Sequence, residues 1–318
     1  EYNFSKIPIN NNQIFKIVKH NTLLYLYELL TSKYIITNSG ISAAIALRKK
    51  QICINTWHGG GNYKKVGKAI NDEKINGTSN NELKIMANQT NYFVSSSREF
   101  SKIMHESIFI SKEKFLEIGM PRNDIFFNKI KMLKISDEVR SELKITREKK
   151  IILIAPTYRG ESGNTKYSIQ LPNLNTLVTI LKNKFGGEWV ILYRSHYFGE
   201  NNDKNIGYIN VSNYNDMQNL LCACDILITD YSSAIWDYSF TGRPCFLYTP
   251  DLKKYIKERG GFYSNISSWP GILAENEEQL WKEILTYDEK KYKDKIENHH
   301  RNLGSFENGN ASEMIVHI

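Results

Sequence analysis

The sequence predicts an α/β fold with mainly parallel sheets, arranged as two Rossmann-like halves facing across a cleft. Three observations lead there. Short apolar runs of strand length alternate with amphipathic helical stretches along the chain, which is the pattern of βαβ units. A segment also recurs: Ile36-Thr37-Asn38 with Ile52-Cys53-Ile54 is echoed 192 residues later by Ile228-Thr229-Asp230 with Pro244-Cys245-Phe246. Two unrelated βαβ units can match this way by chance, and the alternative is a duplicated architecture. Finally, 318 residues at roughly 100–200 per domain suggest two domains.

The elements follow in order. Lys33–Thr37, Gln51–Asn55 and Asn91–Ser95 read as strands of the first half. In the second half, Lys150–Ala155, Trp189–Tyr193, Asp225–Thr229 and Pro244–Tyr248 do the same. Both copies of the echo read as strand, small polar turn, helix, strand. Residues 129–150 are lysine-rich with a polar helical pattern, so the boundary is expected there: an N-terminal unit of residues 1–147 and a C-terminal unit of 148–318, with the last helix able to pack back on the first unit. Ligands of such sheets bind at the carboxyl ends of the strands, so the loops after them hold the candidate site.

Composition narrows the function. With 41% hydrophobic and 24% charged residues and seven prolines, the chain is neither disordered nor fibrous. Lys plus Arg number 42 against 34 acidic residues, a formal charge of +8, which favours anionic partners such as nucleotides, phosphorylated polymers or an acidic membrane face. The basic surface lacks the interleaved aromatics of a nucleic-acid platform, so no nucleic-acid partner is expected. Arg48-Lys49-Lys50, Lys253-Lys254 and Lys290-Lys291 are solvated faces or a dock for anionic lipid or polymer. Cys53, Cys222, Cys224 and Cys245 lack metal or redox spacing and read as buried thiols. No apolar run approaches the ~20 residues that cross a bilayer. Because the chain opens on Glu1 rather than Met, an upstream segment is expected to be missing.

The chemistry-bearing residues sit at strand exits. In Thr56-Trp57-His58-Gly59-Gly60-Gly61-Asn62-Tyr63-Lys64-Lys65, the glycines admit a ligand close to the backbone, Lys64 adds charge, and His58 stands where a general base would; a structural histidine is the equal alternative. Ala155-Pro156-Thr157-Tyr158-Arg159 offers a two-pronged phosphate donor in Arg159, or else a solvated turn. The polar stretch from Glu161 to Gln170 has the composition of a flap. Arg194 and His196 leave a strand on one side and together suit a pyrophosphate. In Thr229-Asp230-Tyr231-Ser232-Ser233, either serine can cap the next helix and offer an anion site, and Asp237 could accept ribose hydroxyls. Arg122 and Asp124, in the turn Gly119-Met120-Pro121-Arg122-Asn123-Asp124, are second-tier candidates.

Together these segments resemble the CDP-glycerol glycerophosphotransferase family of teichoic-acid primases and polymerases. The matching pieces are Thr56-Trp57-His58-Gly59 with Lys64-Lys65 and Gly67, Gly119 to Asp124, Ala155 to Arg159, Arg194-Ser195-His196, Thr229 to Ser233 through Asp237-Tyr238 and Arg243-Pro244, and Phe306 to Ser312. They run in family order over residues 50 to 316. The resemblance implies a GT-B-like fold with an acceptor-side first domain and a nucleotide-binding second domain. It also implies transfer of glycerol phosphate from CDP-glycerol to an acceptor hydroxyl of a lipid-linked or polysaccharide chain, with release of CMP. CDP-ribitol and other nucleotide-sugar donors are the alternatives. His58 and His196 would be the catalytic pair. By that match His58 would be the base that takes the acceptor proton. His196, with Arg159, Ser232 and Ser233, would hold the pyrophosphate, and Asp237 the ribose. Thr157, Arg194, Asp230, Gly59, Lys64, Asp124 and Arg122 complete the expected substrate-binding set. No tightly bound cofactor or metal is expected, and the protein is expected in the cytoplasm, peripheral at the inner face of the membrane.

Overall fold

We describe the protein from a computed structural model, over residues 16–70, 77–157, 159, 170–195 and 207–318. Among these residues every named strand pairs in parallel, in two sheets. The first has the order β1 (Tyr34–Thr37), β2 (Ile52–Asn55), β3 (Tyr92–Ser95), β4 (Phe115–Glu117). Helices α2 (Asn80–Gln89) and α3 (Arg98–Ile108) make its crossovers; α1 (Leu23–Thr31) precedes it.

The second sheet has the order β10-β9-β8-β5-β6-β7. Its strands are β5 (Lys149–Ile154), β6 (Glu188–Tyr193), β7 (Ile209–Asn210), β8 (Ile226–Thr229), β9 (Cys245–Tyr248) and β10 (Ile272–Ala274). Counted from β5 this is the order 3-2-1-4-5-6 of a doubly wound sheet, so the chain reverses direction between β5 and β8 and leaves a crevice at their carboxyl ends.

The strands read as continuous apolar runs because both faces are covered. Ile151 and Leu153 point into one buried cluster with Leu227, Cys245 and Leu247. Ile152 and Ile154 point into the other with Ile226, Ile228 and Phe246. That second face packs on α5 (Leu174–Phe185) and α9 (Glu277–Leu285) through Leu177, Leu181, Leu280 and Ile284. The first face packs on α6 (Met217–Ala223), α7 (Ala234–Ser239) and α10 (Glu289–Leu303) through Leu220, Trp236 and Tyr292. All four cysteines are buried free thiols.

The echo survives in register. Ile35 pairs with Cys53 and Leu227 with Cys245, the same alignment in both sheets. Only the second copy keeps its helix, α7. Residues 38–51 carry no helix; the buried Gln51 pins this loop, its amide donating to the carbonyls of Leu29 and Ser32 at 2.8 Å each. Three strands escape the sequence reading: β4, β7 and β10 span two or three residues, too few to show a period.

Two segments join the sheets. The loop after β2 runs across to the second sheet's side, where Tyr63 stacks on Trp269 with centroids 4.4 Å apart and accepts at its carbonyl from the Tyr263 amide. The chain also returns at its end: α11 (Ala311–Val316) buries Ala311 in the first sheet's core beside Phe93 and Met104. Gly60 fits only because it lacks a side chain, since a Cβ there would lie 2.2 Å from Trp236 Cδ1. Gly60→Ala is therefore expected to cost about 1–3 kcal/mol through overpacking, read as a lower urea midpoint at unchanged m-value.

Candidate active site

His58 is aimed by the turn that ends β2. The Asn55 side chain accepts from the Trp57 amide at 2.9 Å, and Trp57 adopts a left-handed φ of 54°, which swings the chain out of the sheet. Trp57 then stacks on the His58 ring at 4.5 Å. His58 Nδ1 lies 2.9 Å from the Asn38 carbonyl oxygen, at the exit of β1. A carbonyl can only accept, so Nδ1 carries the proton and Nε2 keeps a lone pair. The ring has a solvent-exposed edge. Even so, the surrounding protein strips its hydration and, with the charges of Arg122 and Lys64, lowers its pKa below the usual histidine value, while the Asn38 bond offsets only part. At neutral pH this is an uncharged base. It opens on a largely apolar cavity of about 290 Å³ that includes Trp57, Leu83, Met86 and Ile108.

The His58 loop is fastened to the second sheet. Arg122 donates to the His58 carbonyl at 2.8 Å and pairs with Asp237 at 2.9 Å. Gly59 abuts Ser233, whose Cβ would be 2.8 Å from any Cβ at position 59. Across the crevice between β5 and β8 lies a second cavity of about 150 Å³, which takes in Arg159, Asp230, Tyr248 and Asp251. The Lys64 charge acts on both His58 and Asp230. Burial lowers the Lys64 pKa, and Asp230 partly restores it.

Several expected ligand contacts are occupied by the protein itself. Arg159 is no free phosphate fork: it binds Asp251 at 2.6 Å, Asp230 at 2.6 Å and the Thr157 carbonyl at 2.5 Å, over the rings of Tyr231 and Tyr255. Burial opposes its charge, but Asp230 and Asp251 outweigh that and hold its pKa above the normal range. Asp230 is 1% exposed and also takes the Thr157 amide at 2.9 Å. Asp237, expected at a ribose, is engaged by the protein itself. It lies in α7, where every residue is buried, and it accepts from Arg122 and, at 3.0 Å, from Gln218; burial raises its pKa despite these partners. Asp124 caps the final helix through the amides of Ala311 and Ser312 at 3.1 and 2.8 Å. Arg194 donates to the carbonyls of Val211 and Tyr214 beyond β7.

The others stay near the crevice. Ser232 accepts from the Ala234 amide at 3.2 Å, and Ser233 makes no side-chain cap. Thr157 Oγ1 is buried with no partner among the described residues. His196, and the polar stretch through residue 169, lie outside the described residues. Sequence reasoning assigned no role to Asn38, Trp57, Asp251 or Glu307. Asp251 follows β9 and was within reach of the same strand-exit rule that found Asp230. Among the described residues no group of three His, Cys, Asp or Glu could hold a metal, and no helix is long and apolar enough to cross a membrane.

A neutral histidine at one strand exit and a crevice at the carboxyl ends of a doubly wound sheet are features that group-transfer enzymes use. The chain belongs to the CDP-glycerol:poly(glycerophosphate) glycerophosphotransferase family, whose profile matches residues 5–318. It is 32% identical over 312 residues to a teichoic acid poly(glycerol phosphate) polymerase of Staphylococcus epidermidis, covering 94% of this chain and 43% of that protein. It is 35% identical over 269 residues to a teichoic acid glycerol-phosphate primase of Bacillus subtilis, covering 82% of this chain and 67% of the primase. The wall teichoic acid polymerase TagF superposes with a TM-score of 0.81 at 31% identity over 94% of this chain and 75% of that one. A histidine-to-asparagine variant of TagF soaked with CDPG gives 0.80. The chain thus spans less than half of the S. epidermidis polymerase it matches.

Proposed function

We propose that the protein transfers glycerol phosphate from CDP-glycerol to an acceptor hydroxyl of a teichoic-acid-like or capsular polymer and releases CMP. The observation that carries this reading is the uncharged His58 ring, whose Nδ1 is taken by the Asn38 carbonyl so that Nε2 keeps its lone pair, beside a largely apolar cavity. His58 Nε2 takes the acceptor proton as the hydroxyl oxygen attacks the phosphorus bearing glycerol. That bond forms as the bridging P–O bond breaks, and the electron pair leaves with CMP. Lys64, Thr157, Ser232 and Ser233, with Gly59 and Arg122 shaping the approach, stabilise the diphosphate; His196 is the second catalytic histidine. The nucleotide end occupies the crevice at the carboxyl ends of β5, β8 and β9. The relatives' names support glycerol over ribitol as the alditol.

In this reading the architecture is GT-B-like: residues 1–147 form the acceptor-side unit, and residues 148–318 form the donor unit, with its last helix packed back on the first. The donor is a substrate, and no tightly bound cofactor takes part. The enzyme works in the cytoplasm, peripheral at the inner membrane face. Supporting that placement, Ile17, Leu23, Tyr27 and Ile36 are exposed within a segment, residues 17–50, that also carries the exposed Lys19, Lys33, Lys49 and Lys50, an apolar and cationic mixture suited to anionic lipid.

Incubation with CDP-glycerol and a lipid-linked or glycerol-phosphate polymer acceptor is expected to yield CMP, faster than with CDP-ribitol; no CMP from either donor would overturn the assignment. The pH profile follows from the base. His58 must be unprotonated, protonation occurs below its pKa, and that pKa lies under 6.5. The base should therefore contribute an acid limb to kcat/KM that is centred below 6.5.

A further inference from the structure

We propose that Glu307 is a positioning residue for the transfer reaction: it locks the turn that carries Arg122 to α7 and thereby sets where His58 stands. The inference rests on the proposed role of His58. Glu307 comes from the segment between α10 and α11, far from His58 in sequence. One carboxylate oxygen accepts from Asn123 Nδ2 at 2.9 Å and from Trp236 Nε1 at 2.8 Å, and the other accepts from the Met120 amide at 3.0 Å. Met120 and Asn123 flank Arg122 on the turn after β4; Trp236 adjoins Asp237 on α7. Arg122 spans the same gap, from the His58 carbonyl to Asp237. Two parallel links therefore hold this turn to α7, and the outer one ends on the backbone of the base.

The fit is close. A Cβ on Gly119 would stand 2.9 Å from the Glu307 Cα, so the turn has no room to shift toward the tail. All three partners of Glu307 are donors, which only an acceptor at both oxygens can satisfy. A glutamine there would turn an amide N–H toward at least one of them. Burial raises the Glu307 pKa to about 7, with the neighbouring Asp237 adding to the rise and the three hydrogen bonds opposing it. His300, against the far side of Trp236 at 4.7 Å, is lowered to about 3 by burial and by His299, and so stays neutral.

The test is CMP release by Glu307→Gln across a pH series, alongside thermal unfolding of the same samples. Misplacement of the base is expected to lower kcat roughly 10- to 100-fold, with KM for CDP-glycerol nearly unchanged. In wild type the Glu307 carboxylate protonates as pH falls through about 7, so the fall in rate that this adds to the acid limb should be missing from the glutamine variant. Trp236→Phe, which removes one donor and keeps most of the ring, should lower kcat in the same way by less, and it serves if the glutamine variant does not fold. A folded variant whose acid limb stays at the wild-type position, with activity lost only in proportion to the unfolded fraction, would overturn the inference. Failure of the wild-type protein to release CMP would instead defeat the functional reading beneath it.

Discussion

Replacing His58 by alanine is expected to reduce CMP release by about 10²–10⁴-fold, the usual worth of a positioned general base. The unfolding curve should stay close to wild type. Both expectations come from one geometry. Among the described residues the half-open ring makes one hydrogen bond, to the Asn38 carbonyl, and one stacking contact, with Trp57. Its removal therefore empties no core. What is lost is an uncharged Nε2 whose tautomer β1 fixes from behind. Added imidazole, filling the vacated space from solution, should restore part of the rate. Wild-type turnover in the folded variant would remove His58 from the chemistry.

The second large effect is on stability. Arg159→Leu is expected to lose about 3–5 kcal/mol, the consequence of leaving buried charges without their partner. The pair with Asp230 has side chains only 9% and 2% exposed; Asp251, at 32%, keeps some water and softens the loss. Adding Asp230→Asn to Arg159→Leu should recover part of it, since the remaining asparagine carries no buried charge. A double-mutant cycle in urea measures this coupling. If Arg159→Leu unfolded like wild type yet raised KM for CDP-glycerol many-fold, the arginine would be the phosphate donor that its place in the sequence suggests, and the internal ion-pair account would fail.

Arg159 shows what the sequence could and could not convey. Strand exits were legible because buried parallel strands are continuous apolar runs, and the residues after Ile154 and Thr229 duly meet at one crevice. Whether a charged side chain there faces a ligand or another residue depends on partners far along the chain. Asp251 lies 92 positions from Arg159, and no local period announces it. Asp237 misled for a related reason: a short helix one turn beyond a strand suggests a polar rim, whereas Trp236 and Tyr238 draw all of α7 inside. His58 was found by position, and its base character needed the Asn38 carbonyl, which only the packed β1 exit supplies. Glu307 was visible as part of a matching tail, but its three donors come from two separate elements.

The tail's route has a consequence for how the protein is made. Glu307 and Ala311 leave the ribosome well after Met120, Asn123 and Asp124, whose contacts they complete, and these in turn brace a histidine translated some 250 positions earlier than Glu307. A nascent chain therefore has both sheets in hand before its His58 loop is braced, and a premature stop codon ahead of Glu307 would release a polypeptide that collapses with that loop unsecured.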